Sequence, residues 1–392
     1  MPPMDSIILD LPHFKILEVQ GNNLITLRVE YLRKPQCPRC ESERLRKKDS
    51  FYRRIKHVLY GQRPSWLEVK AHKYHCRSCK KYFNTRFEGI LPRKQATEPC
   101  RLEVSKLHHN GWTQKSLGKE IRLSPATVER WYQDHFRIKN QELKGAHCPR
   151  VMGIDEHFFT RKKGYATTIA DLNRHKVFDV TLGRSEASLR GYMQKLIAKD
   201  RVRVVVMDMS ETYRSIVKKY FENALIVADR FHVMRLVNQQ FVKTWSELDE
   251  KGRRHRGLLS LMRRKPDRMT PEQTVKLGKY LDEIPGLRPI YEFWQGLQEL
   301  LRNKSKNKSQ CRSLVKQYLW FVEELKRTPF KHLQTLGETL DNWKEEIARM
   351  FRFSKTNGIT EGLHNKMEML SRRAFGFRNF ENYRLRVRVL CG

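Results

Sequence analysis

The pattern of apolar and polar positions changes near residue 150. Beyond it, short apolar runs predict strands at 151–156, 165–170, 177–182, 202–208 and 224–229, with helices at 185–198 and 211–221. The order is three strands, a helix, a strand, a helix and a strand. Short links come first and strand–helix alternation follows, which predicts a mixed α/β sheet of the RNase H-like kind.

Helical periodicity continues after this sheet. The segment 233–353 is rich in Lys, Arg and Leu, with candidate helices at 288–303, 311–327 and 333–353. It is interpreted as an all-α insertion, and its four tryptophans as helix-core residues: Trp245, Trp294, Trp320 and Trp343. An Asn357-Gly358 break then precedes a last helix that begins near Glu361.

Two short helices are predicted before residue 150, at 113–121 and 126–135, with the turn at 122–124. Ser124 and Pro125 suit the cap and first position of the second helix. The apolar positions of both helices can form one small core. The arrangement favours a DNA-binding helix-turn-helix over a plain helical hairpin, and the exposed start of its second helix would enter the major groove. That start carries Pro125, Ala126, Thr127 and Arg130.

Two C-x-x-C pairs, Cys37–Cys40 and Cys76–Cys79, lie nearer the N-terminus. Each knuckle can direct two thiolates at one tetrahedral zinc ion. The 35 residues between the pairs exceed the commonest spacing, and strands at 51–55 and 66–71 account for the extra length. The pattern predicts a zinc ribbon with structural Zn²⁺, rather than chance cysteines or a redox pair.

The charge of the chain indicates its partner. Lys and Arg number 79 against 43 Asp and Glu, a formal net charge of +36 over 392 residues, and 39% of the residues are hydrophobic. Such a chain can form cores and needs a polyanionic partner, with nucleic acid favoured over an anionic membrane surface or a ribosomal role. No apolar run reaches about 20 residues and no secretory signal is evident, so an intracellular protein with no membrane partner is expected.

Acidic residues end two of the predicted strands. Asp155 lies in the first strand and Asp208 at the end of the fourth, and these positions are neighbours in an RNase H-like sheet. Two converging carboxylates favour a bound divalent cation, and oxygen ligands favour Mg²⁺ or Mn²⁺. Glu361 is the best candidate for a third acid, with His364 and Asn365 following on about the same helix face. Taken singly, each acid is more often a cap or a solvated charge.

Several motifs together resemble the ISL3 family of bacterial insertion-sequence transposases. They are Gly153-Ile154-Asp155-Glu156, Asp208-Met209, Asp229-Arg230-Phe231-His232, Asn357-Gly358-x-x-Glu361-Gly362 and the tail from Arg372 to Phe380. The resemblance covers nearly the whole chain, since that family also has a zinc ribbon and a helix-turn-helix. It implies a catalytic triad of Asp155, Asp208 and Glu361.

The Asp229-x-x-His232 signature occurs in related transposases that carry helical insertions, and the resemblance implies a supporting, more structural role for it. A rival assignment places Asp229 in the triad instead of Asp208. Asp208 is preferred because it ends the fourth predicted strand. In some related transposases an aromatic residue of the insertion stacks on a displaced base, although core packing is the favoured interpretation of each tryptophan here.

The resemblance also implies partners. The chain is expected to bind double-stranded DNA, namely the terminal inverted repeats and the target, as at least a dimer in the bacterial cytoplasm with the nucleoid. Phosphates would be bound by basic residues around 253–268 and by Arg372, Arg373 and Arg378. Two alternatives remain: a non-catalytic DNA-binding regulator derived from a transposase, and another RNase H-like nuclease.

Five segments are expected in total. Residues 1–95 form the zinc-ribbon DNA-binding domain and 96–146 the helix-turn-helix domain. The RNase H-like catalytic core comprises 147–232, the all-α insertion 233–353, and the last core helix with a basic C-terminal tail 354–392.

Overall fold

A computed structural model describes residues 4–143, 145–305, 307–353 and 358–392. The chain divides into two units: Met1–Leu143 with Ser371–Phe377, and Lys144–Leu370 with Arg378–Gly392. This division is coarser than the five predicted segments, whose boundaries stay a prediction. Asn357 of the Asn-Gly break lies outside the described residues.

The first unit opens with a short helix and a five-stranded sheet. Its elements are α1 (Met4–Leu9), β1 (Phe14–Gln20), β2 (Ile25–Tyr31), β3 (Leu45–Tyr60), β4 (Arg63–Cys76) and β5 (Tyr82–Asn84). The strand order is β1-β2-β4-β3, and β5 pairs with β4. The two strands predicted between the cysteine pairs are confirmed as parts of the longer β3–β4 hairpin. Leu9, Leu67 and Phe87 lie in its apolar core.

Three helices complete the N-terminal part of this unit: α2 (Glu98–His109), α3 (Gln114–Ile121) and α4 (Pro125–Glu142). The Thr113 side chain caps α3 and that of Ser124 caps α4, while the intervening Arg122 is left-handed with φ 54°. Both predicted helices are confirmed, although α4 runs further than 135. The predicted shared core is confirmed too: Leu117, Ile121 and Val128 are buried, and Trp131 packs against them.

The second unit contains a five-stranded mixed sheet. Its strands are β6 (Val151–Thr160), β7 (Gly164–Asp171), β8 (Lys176–Leu182), β9 (Val204–Met207) and β10 (Leu225–Ala228), in the order β10-β9-β6-β7-β8. β6, β7 and β8 are antiparallel neighbours, whereas β9 is parallel to both β6 and β10. The helices α5 (Glu186–Lys195) and α6 (Glu211–Tyr220) connect the later strands. All seven predicted elements are confirmed.

A helical region follows β10. It comprises α7 (Arg230–Leu248), α8 (Glu250–Arg254), α9 (Arg256–Arg263), α10 (Pro271–Glu283), α11 (Leu287–Arg302), α12 (Lys308–Arg327), α13 (Lys331–Asn342) and α14 (Lys344–Arg352). Trp245, Trp294 and Trp343 are buried as expected. Trp320 is 55% exposed, so its interpretation as a core residue was wrong.

The prediction of one helix over 333–353 was wrong, because the chain breaks at Trp343 between α13 and α14. Arg214 on α6 donates to the Asn342 carbonyl oxygen at 2.9 Å, and its guanidinium lies 4.1 Å from the centre of the Trp343 ring. The guanidinium of Arg214 also makes a bidentate pair to buried Glu346, at 2.8 and 2.9 Å. The break therefore coincides with contacts from a distant helix.

The last two helices are α15 (Gly358–Arg373) and α16 (Phe380–Leu390), so the segment predicted as a basic tail contains a further helix. Arg384 on α16 makes two hydrogen bonds of 2.8 Å to Asp179 on β8. The Val177 amide donates to the Cys391 carbonyl oxygen at 2.7 Å. These contacts attach the end of the chain to the β8 edge of the sheet. Within the described ranges, every helix is too short or too polar to cross a membrane.

Candidate active site and metal centres

Four cysteine side chains converge in the first unit. The β3–β4 hairpin brings the loop that carries Cys37 and Cys40 beside Cys76, at the end of β4, and Cys79. The Cys37 and Cys79 sulfurs are 3.4 Å apart, and those of Cys40 and Cys76 are 3.6 Å apart. A tetrahedral zinc ion with Zn–S bonds of about 2.3 Å sets its sulfurs about 3.8 Å apart. The cluster therefore fits zinc with only a slight expansion.

Backbone amides favour the thiolate form of Cys76. The Cys79 amide donates to the Cys76 sulfur at 3.5 Å, and this contact is the largest of several hydrogen bonds that lower the pKa of Cys76 to about 6. The thiolate is the form that binds metal. All four ligand positions are supplied by the protein, which is typical of a structural zinc site.

A second cluster lies in the sheet of the other unit. Ile154 on β6 pairs with Met207 on β9, so the next residues, Asp155 and Asp208, follow side by side. The carboxylates of Asp155 and Asp208 and the ring of His232 offer ligand atoms within 4.8 Å of one another. In the described part of the chain, this group and the four cysteines are the sets of three or more such side chains close enough to share an ion.

The single Nδ1 proton of His232 cannot form a full hydrogen bond to both of the carboxylates that face it. His232 Nδ1 lies 2.5 Å from Asp208 Oδ1 and 2.7 Å from Asp229 Oδ2. The hydrogen bond is made with Asp229, a buried residue that also caps α7 by accepting from the Phe231 amide at 3.4 Å. Asp208 Oδ1 is buried, and its contact with His232 is an ion pair without hydrogen-bond geometry. A buried carboxylate oxygen that shares one imidazole with Asp229 and lies beside the Asp155 carboxylate fits a cation.

The shifted pKa values of Asp155 and His232 also indicate a cation site. Burial, and then the nearby Asp208 carboxylate, raise the pKa of Asp155 to about 7. Burial lowers the pKa of His232, but the carboxylates of Asp208 and Asp229 outweigh it and raise that pKa to about 10. Two acids that cannot easily ionise together are stabilised by a divalent cation.

Glu361 is not part of this cluster. Its side chain is exposed near the start of α15. His364, one turn further along the helix, reaches the cluster with Nδ1 3.7 Å from Asp155 Oδ2. Glu361 therefore precedes, on about the same helix face, a residue that touches the site. Asn365 is also exposed on α15.

A hydrogen-bonded chain that the sequence did not predict lies behind Asp155. His364 Nε2 lies 3.0 Å from Thr168 Oγ1, which lies 2.9 Å from His157 Nδ1. His157 Nε2 lies 2.9 Å from the Tyr383 hydroxyl on α16. Burial lowers the pKa of His364 to about 4 and, together with His364, that of His157 to about 3, so both rings are neutral. His157 could have been noticed, since it lies two residues after Asp155 on the same strand face.

The predicted DNA-contacting residues lie on surfaces. Pro125, Ala126 and Arg130 are exposed on the first turns of α4, and Thr127 is half-buried. Arg130 donates to Thr127 Oγ1 at 3.1 Å. Arg372, Arg373 and Arg378 are exposed near the C-terminal end.

A cavity of about 380 Å³ lies beside the start of α4. Its lining includes five cationic side chains and two tryptophans: Lys56, Arg93, Lys94, Arg122, Arg130, Trp66 and Trp131. Lys56 is buried, donates to the carbonyl oxygens of Ile121 and Arg122, and stacks 4.5 Å above the Trp66 ring. The ribbon sheet and the helices of this unit thus line one basic cavity.

Comparison with known families decides the identity of the chain. A family model described as Transposase, of the ISL3-type DDE class, matches residues 152–387, and one described as a zinc-finger of transposase IS204/IS1001/IS1096/IS1165 matches residues 33–79. The chain belongs to the ISL3 transposase family. This DNA transposase has a zinc ribbon whose matched range includes the four clustered cysteines, which supports a structural zinc ion there.

Individual relatives agree. The transposase is 21% identical over 365 residues to the transposase for insertion sequence element IS1001 of Bordetella parapertussis, covering 90% of this chain and 88% of that protein. It is 22% identical over 260 residues to the transposase for IS1557 of Mycobacterium tuberculosis, covering 59% and 57%. A 90-residue match, 30% identical, to a Lactococcus lactis protein named ATP-dependent protease spans only 20% of this chain and carries no argument about the whole.

Proposed function

We propose that this transposase binds the terminal inverted repeats of its insertion sequence and performs metal-dependent DNA strand cleavage and strand transfer with Asp155, Asp208 and Glu361. The observation that carries the proposal is the adjacent pair of carboxylates, Asp155 within β6 and Asp208 directly after β9. The buried Oδ1 of Asp208 faces the His232 ring without a hydrogen bond to it. The DDE class to which the chain belongs implies a divalent metal. Oxygen ligands favour Mg²⁺ or Mn²⁺ at this pair.

Each residue has a distinct part in this proposal. Asp155 and Asp208 would hold the metal, and Glu361 would supply the third carboxylate from the start of α15, one turn before His364. When bound, divalent metal lowers the pKa of water and stabilises the charge on the scissile phosphate. His232 orients Asp208 from one side, held by Asp229, and His364 contacts Asp155 from the other. No Ser or Tyr nucleophile is required.

Asp208 is favoured over Asp229 as the second acid. Asp229 is 1% exposed, accepts from both the Phe231 amide and the His232 ring, and is outside the metal-ligand group. Its lone pairs serve the N-terminus of α7, which is a structural role. We therefore assign Asp229 and His232 as supporting residues.

We assign a separate function to each of the two units. The mixed sheet with antiparallel β6, β7 and β8 and parallel β9 and β10 supports an RNase H-like catalytic core, interrupted by the α7–α14 insertion. The α3–α4 pair, with its capped turn and exposed Arg130, supports a helix-turn-helix that reads DNA in the major groove. Joining two ends of an element further calls for two copies of the chain on DNA.

A cleavage assay tests the proposal. The full chain is incubated with a duplex that carries the flanks of its own gene, with Mg²⁺ or without added divalent metal. Wild type should cut at the ends of an inverted repeat only when the metal is present, and Asp208→Asn should bind those ends without cutting them.

Three outcomes would contradict this account. Binding to the ends without cleavage under Mg²⁺ or Mn²⁺ would favour a DNA-binding regulator. Cleavage without preference for the ends would favour a different RNase H-like nuclease. An Asp208→Asn variant that loses binding as well as cleavage would make Asp208 a structural residue.

A further inference from the structure

The hydrogen-bonded chain behind Asp155 runs along the face of the sheet that carries this carboxylate. Asp155 pairs with Thr168 across β6 and β7, and His157 follows Asp155 by two residues, so these side chains lie on one face. His364 on α15 and Tyr383 on α16 lie at its two ends. The hydrogen bonds join His364 Nε2 to Thr168 Oγ1 at 3.0 Å, Thr168 Oγ1 to His157 Nδ1 at 2.9 Å, and His157 Nε2 to the Tyr383 hydroxyl at 2.9 Å.

The two histidines are linked through one hydroxyl group. Their ring centres are 5.2 Å apart, and Thr168 and Tyr383 beside them are 0% and 3% exposed. Two imidazolium cations this close in a buried place would repel each other, so both rings are neutral and each has one donor and one acceptor nitrogen. The Thr168 hydroxyl has a single proton, so it donates to one ring and accepts from the other. The tautomer of His157 therefore determines the tautomer of His364.

The Tyr383 hydroxyl is the outer end of this hydrogen-bonded chain. When it donates to His157 Nε2, His157 Nδ1 donates to Thr168, and the Thr168 hydroxyl donates to His364 Nε2. The proton of His364 is then on Nδ1, which lies 3.7 Å from Asp155 Oδ2. This separation is longer than a hydrogen bond, but an N–H group directed at a carboxylate attracts it, whereas the lone pair of the other tautomer repels it.

Both oxygens of Asp155 thus face a donor. The Glu156 amide donates to Oδ1 at 2.8 Å, and the Nδ1 proton of His364 is directed at Oδ2. Donors behind a metal-binding carboxylate fix its orientation and so strengthen its contact with the ion.

We propose that Tyr383 is a positioning residue for Asp155 and acts through His157, Thr168 and His364. The proposal rests on the proposed function, in which Asp155 holds the divalent metal. The helix α16 thus influences the metal site through hydrogen bonds, without supplying a ligand to it.

A manganese titration of the zinc-loaded full chain, followed by electron paramagnetic resonance without DNA, measures this influence separately from cleavage. Removal of a residue behind a metal ligand typically weakens metal binding by about 10–100-fold. Tyr383→Phe deletes one hydroxyl and keeps the ring, so we expect it to weaken Mn²⁺ binding about tenfold.

Two kinds of control accompany this titration. Tyr318 is also buried, and its hydroxyl donates to the Leu340 carbonyl oxygen at 2.7 Å, between α12 and α13. Tyr318→Phe loses an equivalent hydrogen bond and should bind Mn²⁺ as wild type does. At Thr168, substitution by Ser should keep the affinity and substitution by Val should lower it, since only serine retains the hydroxyl. Equal affinities for Thr168→Ser and Thr168→Val would contradict the proposed route.

A double-mutant cycle tests whether Tyr383 acts through His364. His364→Ala alone should weaken Mn²⁺ binding about tenfold, and the addition of Tyr383→Phe should cause no further loss, because the hydrogen-bonded chain then no longer reaches Asp155. A second tenfold loss in the double variant would show that Tyr383 acts by another route and would overturn the proposal.

Nitrogen NMR of the chain with isotope-labelled histidine reports the tautomer itself. The His364 signal, assigned by its disappearance in His364→Ala, should show the proton on Nδ1 in wild type and lose that preference in Tyr383→Phe. A general loss of stability would not move this signal. A proton on Nε2 in wild type would overturn the proposed direction of the hydrogen bonds.

Failure of this inference can be told apart from failure of the proposed function. If Mn²⁺ binding depends on Asp155 but is equal in wild type, Tyr383→Phe and Tyr318→Phe, the positioning role is wrong and the metal site stands. If Asp155→Asn binds Mn²⁺ as wild type does, the proposed metal site fails together with the inference.

Discussion

The two candidate metal centres of this transposase are built in opposite ways. The cysteine cluster draws its four ligands from two knuckles within residues 37–79, joined by one hairpin. The acidic cluster draws on β6, on the residue after β9 and on α7, and its proposed third acid is on α15. One site is complete and closed, whereas the other has two acids in place and a third outside the cluster.

We interpret this difference as the one between a structural metal site and a proposed catalytic metal site. A structural zinc site gains nothing from an open position, while a catalytic site needs room for a phosphate and a water. In the proposed function, the spread of the acidic ligands over distant segments would let bound DNA influence how the site is completed.

The largest effect is expected at the zinc ribbon. Structural zinc contributes about 10–16 kcal/mol of folding free energy in small zinc domains, so Cys76→Ser should release the ion and unfold the knuckle end of β3–β4. End binding should be lost, as measured by zinc content and DNA anisotropy. Cys311→Ser, half-buried outside the cluster, serves as the control. Normal zinc content in Cys76→Ser would remove this residue from the ligand set.

The next effect concerns the C-terminal helix behind the acidic site. Arg384→Met leaves the carboxylate of Asp179, which is 8% exposed, without its bidentate partner. Loss of one partner of a buried pair costs about 3 kcal/mol, although Arg388 remains 3.7 Å away. Urea unfolding should show this loss, whereas Lys218→Met on the exposed face of α6 should be neutral. Equal unfolding free energies for both variants would contradict the importance of this attachment.

A smaller effect on the free energy of unfolding, but a large effect on activity, is expected at Glu361. Glu361→Gln should slow cleavage by at least about a hundredfold, because the proposed metal site loses one of its three carboxylate ligands. Glu368→Gln, two turns further along α15, should cut at a rate close to that of wild type. Similar rates for the two variants would leave the acidic cluster with only its two strand residues.

The smallest effect is expected at the start of α4. Arg130→Ala should weaken binding to the element's ends by about tenfold, since one base-reading or phosphate contact contributes about 1–3 kcal/mol. Anisotropy against a scrambled duplex shows whether Arg130 reads sequence. An equal loss on both duplexes indicates a phosphate contact, and no loss on either removes Arg130 from the interface.

Local signals carried much of the prediction. The apolar runs that end in Asp155 and Asp208 predicted β6 and β9 and, through the register of an RNase H-like sheet, their proximity. The two cysteine knuckles predicted their own convergence. Ser124 and Pro125 predicted where α4 begins, because capping is a property of a few consecutive residues.

Contacts between distant segments could not be predicted from these local sequence patterns. The helix break at Trp343 coincides with a contact from Arg214. This residue lies more than a hundred residues earlier and donates a hydrogen bond to the Asn342 carbonyl oxygen. The chain from His364 through Thr168 and His157 joins residues whose polar character alone gives no sign of pairing. Helical periodicity likewise could not show that Trp320 faces outward while Trp294 is buried, because both suit an apolar helix face.

The central claim is that Asp155 and Asp208 share a divalent ion, and a manganese titration followed by electron paramagnetic resonance tests it most directly. The zinc-loaded chain is compared with Asp155→Asn and Asp208→Asn at equal concentration, with zinc content measured in parallel. The account predicts that wild type removes the signal of free Mn²⁺ while both variants leave it, with zinc unchanged in all three. Equal Mn²⁺ binding by the three proteins would contradict it.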